Sequence, residues 1–136
     1  LDYSVGDLIK EGGIEAALNC IRAHPGDTQV LELAMALLSA MAETSPENAA
    51  KVAENGGVDI ALENLQKYAD NPVIVQAALS LLATLAQDES NVHQLKSRGA
   101  AEFIIDAMYA NPENDAIQAT AAQVLRTLVT EDMIVE

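Results

Sequence analysis

The sequence repeats itself at intervals of 44 and 43 residues, and this repeat limits the possible folds more than any other feature. Gly12, Gly56 and Gly99 recur at those intervals. The same offsets, applied without gaps, bring apolar residues into common columns: Leu18, Leu62 and Ile105; Ala34, Ala78 and Ala121; Leu38, Leu82 and Leu125. Periods of this length are typical of arrays in which each unit buries its apolar face only against its neighbours.

Each unit divides into one short helix and two longer helices. In the middle unit, Ser45 precedes a proline, which is a common way for a helix to begin. The short helix is expected to stop at Gly56, because glycine readily takes the positive φ of a sharp turn. A third helix is expected to begin after Asn71, which again precedes a proline. The outer units carry cap residues at the corresponding place, Asp27 and Asn114.

Composition and charge further restrict the fold class and the kinds of binding partner. Half of the residues are apolar, but only three tyrosines and one phenylalanine are aromatic, and tryptophan is absent. The abundance of alanine and leucine predicts an all-α protein. The net charge of −14 and the lack of clustered basic residues make nucleic-acid binding unexpected. No apolar run is long enough to suggest membrane insertion, and the lone Cys20 favours a reducing compartment, the cytoplasm or the nucleus.

The segment of residues 45–86, SPENAAKVAENGGVDIALENLQKYADNPVIVQAALSLLATLA, resembles an armadillo repeat. It has the length, the three-helix division, the glycine turn and the closing Ala-x-x-x-Leu-x-x-Leu-Ala pattern of that family. The resemblance implies a single domain, a right-handed α-solenoid of three repeats at residues 1–42, 45–86 and 88–129, with a C-terminal tail at 130–136. Two-helix HEAT-like repeats are the alternative. The first residue is not Met, so we expect the chain to be part of a longer protein.

The resemblance also implies a non-catalytic scaffold that binds a partner helix or peptide on the concave face formed by the third helices. Nine residues of that face are candidate contacts: Glu32, Ala36, Ala40, Gln76, Ser80, Thr84, Gln123, Arg126 and Thr127. These columns lack the Trp and Asn with which nuclear-import members of the family hold extended basic peptides. An amphipathic helix or the edge of a folded partner is therefore the expected ligand. The small residues also fit a second interpretation, close packing against another segment.

The second helices carry an acidic stripe along the array. It consists of Glu15, Asp59, Glu63, Glu102 and Asp106. Family geometry implies that this stripe lies on the convex side. It is either a solvated surface or a docking strip for a basic protein or peptide.

The residues that most often perform chemistry do not form a recognisable motif. His24 and His93 have no ligand at metal-binding spacing, Cys20 has no local histidine to activate it, and the glycine pairs lack the Lys-Ser or Lys-Thr of a phosphate loop. We therefore expect no enzyme activity, metal or cofactor. The alternative to partner binding is a structural spacer that self-associates through uncapped ends, because the last helix keeps apolar residues: Ile117, Ala121, Val124, Leu125 and Leu128.

Overall fold

The structure is a computed structural model that describes the backbone of residues 2–135 and the side chains of residues 2–129. Within that range it contains nine α-helices and no strands. The first unit consists of α1 (Val5–Lys10), α2 (Gly13–Ala23) and α3 (Thr28–Ala42). The second consists of α4 (Pro46–Glu54), α5 (Gly57–Lys67) and α6 (Pro72–Leu85). The third consists of α7 (Glu89–Ser97), α8 (Ala100–Ala110) and α9 (Asp115–Val135).

The polar residues that precede each short and each third helix act as caps. The Asn71 carboxamide oxygen accepts hydrogen bonds from the backbone N–H groups of Val73 and Ile74, both at 3.1 Å. Asp27, Ser45, Asp88 and Asn114 accept equivalent bonds at the start of α3, α4, α7 and α9. The short helix of the first unit forms as well, because Ser4 and Asp7 make a capping box around its first turn.

The glycine turns between the short and second helices are of one kind. Gly12, Gly56 and Gly99 have φ values of 92°, 90° and 70°, a region that costs other residues steric strain. In the second unit the next residue, Gly57, lies against the short helix. A Cβ atom at Gly57 would lie 2.5 Å from Cγ1 of Val52 and 2.8 Å from its carbonyl oxygen. Gly56 is thus needed because of its positive φ, and Gly57 is needed because α4 lies too close to leave room for a side chain.

The units stack through their third helices, with α6 between α3 and α9. One continuous apolar core runs through the three units. Leu79, Leu81 and Leu82 of α6 are fully buried, since that helix has a neighbour on both sides. The short first helix in every unit favours armadillo-type over two-helix repeats. The chain is an all-α solenoid of the expected type.

The last helix runs past the predicted end of the third repeat. The sequence predicted a C-terminal tail from residue 130, and α9 extends into that segment as far as Val135. No proline or glycine follows Leu128 to end the helix, so the backbone extends the last helix beyond the length of α3 and α6.

Candidate functional site

A shallow groove of about 520 Å³ lies between α3 and α6. Four of the nine predicted concave-face residues line it: Ala36, Ala40, Gln76 and Ser80. Sequence reasoning missed other lining residues, among them Glu43 and Val73. Val73 is half exposed although it lies in the first turn of a core helix. The groove therefore offers small apolar contacts, one larger valine and an acidic side chain at its edge.

The remaining predicted residues serve other purposes or lie elsewhere. Glu32 accepts a hydrogen bond from the Asn71 amide at 3.1 Å, so its carboxylate ties the first unit to the second. The hydroxyl of Thr84 donates to the Ser80 carbonyl, and that of Thr127 to the Gln123 carbonyl, both at 3.1 Å within their own helices. The last group, Gln123, Arg126 and Thr127, belongs to α9 and does not line this groove.

The amide of Gln76 bridges the second and third units. Its Nε2 donates to Ser80 Oγ at 3.1 Å and to Thr120 Oγ1 at 3.2 Å. Its Oε1 is buried and has no hydrogen-bond partner among the described side chains. A buried acceptor without a donor is costly, so the groove contains one polar group whose bonding is incomplete.

The acidic stripe is partly neutralised by cations from the neighbouring unit. Glu15 of α2 pairs with Lys51 of α4 at 2.8 Å, and Asp59 of α5 pairs with Arg98, which caps α7. The hydrogen bond from Lys51 is the main reason why the pKa of Glu15 lies below its ordinary value. Both pairs are exposed, and such pairs contribute about 0–1 kcal/mol each. Each pair lies at the junction between two successive units.

These pairs were not predictable from the repeat alone, because Lys51 and Arg98 do not occupy equivalent positions in their units. The other three stripe residues are exposed and form no ion pair within the described part of the chain: Glu63, Glu102 and Asp106. The stripe is therefore not uniform. Two of its members form ion pairs with residues of the following unit, and three face solvent.

The exposed apolar residues at the two ends differ from those expected. Ile117, Ala121, Val124 and Leu128 of α9 are buried, because they face the core of their own unit and α6, and Leu125 is partly buried against the core. At the opposite end, Leu33 and Leu37 of α3 are 76% and 40% exposed. Their counterparts in α6, Ala77 and Leu81, are buried against α3.

The described cysteine, histidine and acidic side chains do not come together in a reactive site. Cys20 is half-buried and packs against the core, and His24 is exposed at the end of α2. Among the described residues, no three His, Cys, Asp or Glu side chains group closely enough to hold a metal ion. None of the helices in the described range is long and apolar enough to cross a membrane.

Comparison with known proteins gives one match. A family model described as the GAC ARM domain matches residues 14–136, which is most of the chain. No curated protein matches, and no solved structure matches. The family match agrees with the three-helix units and the glycine turns described above. The chain belongs to the armadillo-repeat family whose model is described as the GAC ARM domain.

Proposed function

We propose that this chain is a non-catalytic, single-domain scaffold segment that binds a helix of another protein on the concave surface of its third helices. Armadillo domains generally bind proteins and are generally non-catalytic scaffolds. The observation that carries the proposal is the groove between α3 and α6, since four of the predicted contact residues line it together.

The chemistry of the groove favours a particular kind of ligand. Ala36, Ala40 and Val73 provide an apolar surface with little relief, on which the apolar face of a helix can lie. Glu43 at the edge favours a basic residue in the ligand, and the net charge of −14 would attract a basic partner from a distance.

The basic residues support a protein ligand over a nucleic acid. The chain has seven Lys and Arg residues. At least four of them are engaged within the fold. Lys51 and Arg98 form ion pairs, and Arg22 and Lys67 donate to the backbone carbonyls of Asn55 and Pro25. Few cations are left to contact phosphates. The single, partly buried Cys20 supports an intracellular site of action.

Affinity capture from a lysate tests the groove. We expect Ser80→Arg to reduce the retained partner at least about tenfold, because the long cationic side chain fills the groove and opposes a basic ligand. Gln66→Arg is the matched control, since it adds the same charge at an exposed position of α5. Circular dichroism would establish that both variants fold. Equal capture by wild type and Ser80→Arg would contradict the proposal.

Self-association is the second candidate function, and the exposure of Leu33 and Leu37 favours it. Covering these side chains would remove apolar surface from water, which stabilises an assembly by about 25 cal/mol for each Å² buried. If the chain is a self-associating spacer, light scattering should give a mass that rises with concentration, and Leu33→Glu should restore the monomer. A constant monomer mass up to millimolar concentration would rule out this function.

A further inference from the structure

Asn55 is the one asparagine of the chain that precedes a glycine. In such a pair the backbone nitrogen of the second residue can attack the asparagine side chain with little hindrance, because glycine has no Cβ beside that nitrogen. Asn55 follows the last residue of α4, and it is exposed. The turn between α4 and α5 therefore combines a side-chain amide, an unhindered nucleophile and access to water, which are the reactants of deamidation.

The reaction proceeds in two balanced steps and needs only water as a co-reactant. The Gly56 nitrogen gives up its proton and forms a bond to Cγ of Asn55, and the bond from Cγ to the side-chain nitrogen breaks with release of ammonia. Water then adds to either carbonyl of the resulting succinimide ring and breaks its bond to the ring nitrogen. One product is aspartate, and the other is isoaspartate, in which the main chain runs through Cβ and Cγ.

The folded turn holds the two reacting atoms apart. Asn55 has a φ of −102° and a ψ of 22°. At this ψ the Gly56 nitrogen points away from the Asn55 side chain, so closing the ring requires a large rotation about the Cα–C bond. The Gly56 N–H also donates to the Ala53 carbonyl at 3.1 Å. The nucleophile is thus hydrogen-bonded and directed away from its target while the turn is closed.

Two further hydrogen bonds oppose that rotation. The side-chain amide of Asn55 donates to the Lys51 carbonyl at 2.7 Å, which directs it back along α4. The backbone carbonyl of Asn55 accepts a hydrogen bond from the guanidinium of Arg22, in the last turn of α2. Rotation about the Cα–C bond would move this carbonyl away from Arg22. The reaction therefore requires the turn to open, and such local opening costs less free energy than global unfolding.

We propose that Asn55 is a site of spontaneous deamidation, and that opening of the turn between α4 and α5 sets its rate. The isoaspartate product adds an atom to the main chain of a turn with little room, since Gly56 has a φ of 90° and Gly57 lies against Val52. The lengthened chain cannot keep this geometry, so α5 must shift relative to α4. Deamidation would thus destabilise the second unit, independently of any ligand in the groove between α3 and α6.

Peptide mapping by mass spectrometry measures the reaction in the full chain at neutral pH. The mass gain at Asn55 gives the rate, and electron-transfer fragmentation distinguishes isoaspartate from aspartate. A synthetic peptide of residues 51–60 gives the rate without the folded turn. We expect the chain to react about ten- to a hundredfold more slowly than the peptide, because only the open fraction of the turn reacts. Asn55→Gln should abolish the mass gain at this position.

Two glycine substitutions that leave the Asn55–Gly56 pair intact provide the matched comparison. Gly57→Ala crowds Val52 and favours opening of the turn, so it should raise the rate at least about threefold. Gly26→Ala meets nothing within 4 Å and should change the rate by less than about twofold. Urea below the unfolding transition provides a second measurement on the unmutated chain, whose rate should rise with urea towards that of the peptide.

Three outcomes would overturn the proposal. The first is that the folded chain shows no deamidation at Asn55 after about a hundred half-lives of the peptide reaction, since the turn would then open too rarely for a site to exist there. The second is that chain and peptide react equally fast, which would mean that the turn gives no protection. The third is a rate that neither urea nor Gly57→Ala increases, because opening would then not control the reaction.

Discussion

Replacing Leu81 by alanine is expected to lower the free energy of unfolding by about 3 kcal/mol. Leu81 is fully buried in α6, where that helix packs on α3. The substitution removes apolar contacts and leaves a cavity at the junction between two units. Because the middle unit contacts both neighbours, the loss should affect the whole chain. Urea unfolding followed by circular dichroism at 222 nm would measure it.

Leu37 supplies the control for Leu81, because it occupies the same position one unit earlier. It is 40% exposed, since no described helix covers that side of α3. Leu37→Ala should therefore cost less than about 1 kcal/mol. Equal losses for the two variants would mean that the stacking of α3 on α6 is wrong, or that another surface covers α3 in solution.

Replacing Gly57 by alanine should destabilise the chain by about 2 kcal/mol, within the range for overpacked interiors. The new Cβ would lie 2.8 Å from the carbonyl oxygen of Val52, and a backbone atom cannot move aside as a flexible side chain can. Either α4 must shift away from α5, or the turn at Gly56 must distort. For chains of this size range, a loss of 1 kcal/mol lowers the melting temperature Tm by about 2–8 °C, so thermal unfolding would detect the change.

Gly26 is the matched control for Gly57. A Cβ atom there would meet nothing within 4 Å, and its φ is not positive. Gly26→Ala should leave stability unchanged or raise it by about 0.4–1 kcal/mol, because alanine restricts the unfolded chain. Destabilisation of both variants to the same degree would show that the close approach of α4 and α5 is not what requires glycine at position 57.

The repeat and the helix starts were predictable from the sequence because they depend on local chemistry. Asn71 and Asp27 accept hydrogen bonds from the N–H groups two or three residues later, so their effect can be read from the chain itself. The positive φ of Gly56 follows in the same way from its place at the end of a short helix. These features determine the length of the repeat, and repeats of this length stack into a solenoid.

The contacts between units were not predictable, because they join residues about 30 to 40 positions apart. The pairing of Glu15 with Lys51 depends on how α4 packs against α2, and the repeat pattern does not place a cation at that position in every unit. The inward orientation of Ile117 and Val124 likewise depends on the rotation of α9 about its axis. Which of the nine predicted concave-face residues line the groove between α3 and α6 also depends on how the units pack, and four of them do.

The most direct test of the central claim is methyl NMR of this chain with a partner obtained by affinity capture. We predict that the partner shifts the methyl signals of Ala36, Ala40 and Val73, which line the groove between α3 and α6. The methyl signals of Leu33, outside the groove, serve as the internal reference. Shifts confined to residues outside the groove, with Ala36, Ala40 and Val73 unchanged at saturation, would contradict the assignment of partner binding to the concave surface.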